Sequence, residues 1–132
     1  MMRRLLLACA LGVLGLTALG ACAAPRQTLG TRNSACFRSL PTAKAAVHDS
    51  GRLVGVRRVS RDTLLHDFPS AQLPPGREFC VVGFSDDYRN DKVDHPAGAP
   101  IGKYAVVVVT MRGTTALQTF LVDRVPFRLR HR

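Results

Sequence analysis

Apolar residues follow three regimes along this chain. From Leu5 to Ala24 they run through twenty positions without a charge. The stretch AAPRQTLGTRNS, which closes that run and continues to Ser34, has no periodicity and collects Pro, Gly, Ser and Asn. That is the composition of a flexible spacer. From Ala35 onward short apolar runs alternate with polar breaks, the pattern of a folded domain.

Within 35–132 the pattern predicts a definite order of elements. ACFRSL is a short strand or an irregular lead-in before Pro41. PTAKAAVHDSG predicts a helix, with Pro41 in its first turn, an Ala-rich interior and Gly51 as its stop. RLVGVRRVS predicts a strand, and RDTLLHDFP a short helical turn capped by Asp62 and closed before Pro69. SAQLPPG is loop. EFCVVGF (78–84) predicts a buried strand, and KYAVVVVTM (103–111), with four consecutive valines, predicts the strongest one. RGTT turns the chain, and ALQTFLVDRV (116–125) returns it as a strand with one wetter face. The expected architecture is α+β: a small antiparallel sheet of three to five strands with one main helix packed on it. AVVVV is aggregation-prone if exposed, so its expected place is the middle of the core.

Length and charge narrow the picture. A chain of 132 residues builds one core and not two. Lys and Arg number 19 against 9 acidic residues, a net charge of +10, and nearly all the basic residues are Arg. Guanidinium does not titrate away at ordinary pH, so the charge is permanent. Such a balance fits nucleic acid, an anionic membrane surface or acidic polymers. The start of the chain chooses among them.

Arg3 and Arg4 precede the twenty uncharged residues, and small residues close the run. A short positive segment, an apolar segment and small residues form a secretory signal, and the chain beyond such a signal is delivered outward. Twenty residues at about 1.5 Å each also span one hydrocarbon core, so an uncleaved anchor is the alternative. Gly12, Gly15 and Gly20 are poor helix formers and favour cleavage. An extracytoplasmic domain excludes nucleic acid as a partner.

Leu19-Gly20-Ala21-Cys22 resembles the lipobox of bacterial lipoproteins. The resemblance covers only about the first 25 residues. It implies cleavage before Cys22 and a diacylglycerol thioether on that thiol. It further implies stable membrane attachment once two or more acyl chains are present. Ala23 after the cysteine implies, by the same resemblance, outer-membrane sorting in a cell with two membranes. Ala21-Cys22-Ala23 also fits the ordinary signal peptidase, which would release a secreted form. The implied division is a signal peptide at 1–21, a lipidated Cys22 with its tether at 22–34, and one domain at 35–132.

The four cysteines are Cys9, Cys22, Cys36 and Cys80. Either cleavage discards or consumes the first two and leaves Cys36 and Cys80 in an oxidising compartment. A disulfide is expected between them, with two buried free thiols as the alternative.

Candidate chemistry is sparse. SDDYRNDKVDHPAGAP joins two predicted strands and is the longest polar loop. Asp91, Asp94 and His95 in it, with Asp86 and Asp87 before them, could donate to a cation. No EF-hand spacing is present, and Arg89 and Lys92 oppose a cation, so a solvated loop is the leading reading. Three His–Asp neighbours occur, His48-Asp49, His66-Asp67 and Asp94-His95, but adjacent residues on a helix do not face each other. No G-x-S-x-G, H-E-x-x-H, C-x-x-C or P-loop is present, and Glu78 is the lone Glu. No cofactor is implied. Arg57, Arg58 and Arg61, and Arg128, Arg130 and Arg132, form two basic groups suited to anionic surfaces. The expected function is that of a lipid-anchored cell-envelope protein with a binding or structural role. Its partners would be the membrane through its anchor, anionic envelope polymers or another envelope protein. The alternative is a secreted or anchored enzyme or cation-binding module using the 85–102 loop.

Overall fold

The valine run sits where consecutive apolar residues must sit, in a strand covered on both faces. The computed structural model of the protein describes residues 31–125. In it β1 (Arg52–Ser60), β2 (Glu78–Arg89), β3 (Pro96–Gly98), β4 (Ile101–Thr110) and β5 (Ala116–Val122) form one sheet in the order β1-β2-β4-β5-β3. The pairs β1/β2, β2/β4 and β4/β5 are antiparallel, and β3 joins β5 in parallel over three residues. The sheet is open, with β1 and β3 at its edges. Three short helices accompany it: α1 (Thr31–Ser34), α2 (Leu40–Ala46) and α3 (Arg61–Asp67). The α+β class rests on this arrangement.

Side chains alternate across a strand, so the valines split between two layers. Val107 and Val109 join Cys80, Val82, Phe84 and Leu121 on one face, against Ala43, Ala46 and Val47 from the end of α2. Val106 and Val108 join Phe79, Val81 and Phe120 on the other, against Leu64 of α3 and the following Phe68. Phe68 stacks on Phe120 with ring centroids 4.4 Å apart, worth about 0.5–1.5 kcal/mol beyond its buried area. The apolar pattern predicts one helix on one face. Two faces are covered instead, because β2 and β4 are apolar at successive positions and neither side can be left in water.

Several boundaries move for local reasons. ACFRSL is no strand: Phe37–Ser39 forms a 3-10 turn that runs straight into α2. That helix stops at Ala46, well before Gly51, because His48 (φ 52°) and Asp49 (φ 58°) are left-handed. The Asp49 N–H turns back onto the Lys44 carbonyl at 2.9 Å, closing the last turn as left-handed caps do. The cap of α3 is Ser60 and not Asp62. Ser60 has extended backbone (φ −70°, ψ 152°), and its hydroxyl accepts from the Thr63 N–H, the geometry an N-cap requires. Asp62 lies inside the first turn, where its charge favours the helix dipole. At the other end of the domain, the expected spacer runs to Ser34, yet Thr31–Ser34 forms a helical turn. Asn33 Oδ1 accepts from the Arg58 N–H at 3.0 Å, so the chain already lies against β1 there.

Cys36 and Cys80 are disulfide-bonded, with Cα atoms 5.3 Å apart. Both are fully buried. The bond ties the segment leading into α2 to the start of β2.

One buried group is out of balance. Thr119 is fully buried, and its hydroxyl has no hydrogen-bond partner among the described residues. Val has the same shape without the polar atom. Thr119→Val is therefore expected to raise stability by about 1 kcal/mol, read as a higher urea midpoint. A lower midpoint would show that the hydroxyl is satisfied in solution.

Candidate functional site

The polar loop is shorter and more structured than its sequence indicates. β2 continues to Arg89 past an irregularity between Ser85 and Tyr88, so Asp86 and Asp87 belong to the strand. Asn90–Lys92 forms a 3-10 turn and Pro96–Gly98 is β3. The remainder is folded onto the end of α2. The Asp94 N–H donates to the Ala46 carbonyl at 2.7 Å, and Asp94 Oδ1 lies 2.9 Å from His48 Nε2. His95 is itself left-handed (φ 48°), and its carbonyl accepts from the Thr119 N–H at 2.9 Å. All three non-glycine residues of positive φ among the described residues, His48, Asp49 and His95, lie in these two segments.

This arrangement settles what each candidate residue touches. Asp94 faces His48, Asp91 accepts from Arg89 Nε at 3.2 Å, and His95 uses its backbone. Asp86 turns back to the Asp87 N–H at 2.8 Å. Among the described residues no group of three or more His, Cys, Asp or Glu is placed to hold a metal ion. The His48–Asp94 contact pairs residues 46 positions apart, and no local spacing could have shown it. An imidazole oriented by a carboxylate is half of a catalytic triad. The neighbouring hydroxyl, Ser50, is spent on the Val47 carbonyl at 2.6 Å. Both His48 and Asp94 are more than half exposed, so the contact contributes at most about 1 kcal/mol. Its job is to hold the loop to the helix.

Tyr88 anchors the same region from beneath. It is buried, and its hydroxyl donates to the Ser50 carbonyl at 2.8 Å. Burial raises its pKa above the ordinary phenol value, the Ser50 hydrogen bond opposes that rise, and the charge of Asp86 adds to it. The phenol therefore stays a neutral donor at physiological pH.

The basic groups divide differently from their sequence spacing. Arg58 pairs with Glu78. Arg61 turns its guanidinium onto three backbone carbonyls, Pro74 at 2.6 Å, Leu73 at 3.1 Å and Gly76 at 3.2 Å. Arg57 is half-buried on β1. Arg128, Arg130 and Arg132 lie outside the described residues, as does Cys22. Arg77 and Arg112 each stand apart from other basic residues in the sequence and so carry no local signal. Both are exposed, and they line one cleft at one end of the sheet.

No protein-family model, no curated protein and no solved structure matches this chain. Among the described residues no helix is long and apolar enough to cross a membrane.

Proposed function

We propose that this is a lipid-anchored cell-envelope protein whose small α+β domain has a binding or structural role on the outer side of a membrane. The observation that carries the reading is Leu19-Gly20-Ala21-Cys22 behind Arg3, Arg4 and an uncharged apolar run. A thiol at the cleavage point is what thioether lipidation needs, and small residues before it admit the peptidase. The disulfide supports the reading, since bridges persist in oxidising compartments. Its position supports it too. A tether from Cys22 enters the domain just ahead of Cys36, and the bridge passes any pull into β2, the second strand of the sheet. The described domain binds through its surface: its polar loop is engaged in holding α2, and its permanent positive charge suits anionic envelope components.

Mass analysis of the mature N-terminus tests this. The expected peptide begins at Cys22 and carries diacylglyceryl and acyl mass, and Cys22→Ser is expected to move the protein out of the membrane fraction. An unmodified peptide beginning at Ala24 would refute the anchor.

A further inference from the structure

The end of the sheet where β4 turns into β5 holds a cleft of about 590 Å³. It is lined by the Pro74–Phe79 segment and by the residues from Thr110 to Thr115 other than Gly113. Two cations line it. Arg77 lies just before β2 and Arg112 just past β4, whose last paired residues at this end are Phe79 and Thr110. Neither guanidinium has a partner among the described residues, and neither do the hydroxyls of Thr110, Thr114 and Thr115. The carboxylate that also lines the cleft, Glu78, takes both Arg58 hydrogen bonds on one oxygen, Oε2. The cleft therefore carries two cations against one carboxylate that is already paired with Arg58.

Both arginines stand on braced backbone. The Arg77 carbonyl accepts from the Arg61 N–H at 2.8 Å, while the Arg61 side chain holds the adjoining Leu73–Gly76 carbonyls. Gly113, next to Arg112, is buried against the backbone of Arg38 and Ser39, and its carbonyl accepts from the Thr42 hydroxyl at 2.7 Å. The backbone under both arginines is thus held, so binding has only their side chains to order.

We propose that this cleft binds a phosphate group between Arg77 and Arg112. Two guanidinium forks and three hydroxyls supply more donors than the two oxygens of a carboxylate accept, whereas a phosphate group offers enough oxygens to engage both forks. The phosphate could be free or part of a lipid headgroup. The chemistry is shared, and it stands whether or not Cys22 is lipidated.

The test is a titration of the full-length protein, purified in a neutral glycoside detergent, with arginine side chains labelled for NMR. One arm adds inorganic phosphate. The other adds phosphatidylcholine vesicles with or without phosphatidylglycerol. Saturable shifts of the Arg77 and Arg112 Nε–H signals are expected with phosphate. A response to phosphatidylglycerol vesicles but not to inorganic phosphate would support the same site with a headgroup as its source. Arg77→Gln and Arg112→Gln should each weaken binding about tenfold. Arg77→Lys and Arg112→Lys, which keep the charge and lose the fork, should weaken it less, and they serve as the folded comparison. No saturable shift with either probe, or a response unchanged in both Gln variants, would overturn the proposal. Protein with an unmodified N-terminus that still binds phosphate would reject the anchor and leave this site standing.

Discussion

Replacing Cys36 and Cys80 together by alanine is expected to remove about 4 kcal/mol of stability. The bridge spans 44 positions, and closing a loop of that length in the unfolded chain is what the bond accomplishes. Domains of this size are stable by about 5–15 kcal/mol, so the loss is a large share of the total. Both cysteines are fully buried, one ahead of α2 and one in β2. Without the bond, the α2 layer is held on its face of the sheet by Ala43, Ala46, Val47 and the partly buried Leu40, and by the Thr42–Gly113 and Asp94–Ala46 hydrogen bonds. Urea unfolding of the oxidised protein, the reduced protein and the double variant would measure the effect. The reduced and double-variant curves should fall together at much lower urea. Coincidence of all three curves would show that the bridge contributes nothing.

Gly51→Ala is expected to be strongly destabilising. Gly51 has φ +83°, and a Cβ there would lie 2.0 Å from Tyr88 Oη and 3.0 Å from the Ser85 carbonyl oxygen. The phenol cannot step aside, because it is buried and bound to the Ser50 carbonyl at 2.8 Å. Left-handed backbone costs an L-residue about 1–2 kcal/mol, and overpacking adds about 1–3 kcal/mol. The expected loss is therefore about 2–5 kcal/mol on those two grounds. Tyr88→Phe removes the atom struck first, so the double variant should lose less than the two single losses combined. Additive losses, or a Gly51→Ala variant as stable as the parent, would contradict this account of the corner.

The two predictions mark where local pattern ends. Gly51 is readable as a helix stop, but the stop falls earlier, at Ala46, because His48 and Asp49 adopt left-handed backbone. What Gly51 does is make room for Tyr88, 37 positions later, and no window on the sequence contains both. The cap of α3 is open to a local reading, and that reading points to the wrong residue. Ser60 and Asp62 both have capping side chains, and only the extended backbone at the end of β1 decides which one does it.

The candidate site divides in the same way. Asp91, Asp94 and His95 cluster in sequence, and in space their polar groups leave in three directions, to Arg89, to His48 and to the backbone of β5. Arg77 and Arg112 are 35 positions apart and come to line one cleft because β2 and β4 pair side by side.

Local pattern was enough for the α+β class and the strands near 52–60, 78–84 and 103–111, because burial follows from periodicity, and a count of cysteines was enough for the expectation of one bridge. The covering of both sheet faces, the parallel β3, the His48–Asp94 contact and the arginine-lined cleft came from long-range pairing. A residue's period announces that it will be buried. Which residue lies across from it is set by strand order and register, and these are properties of the whole sheet.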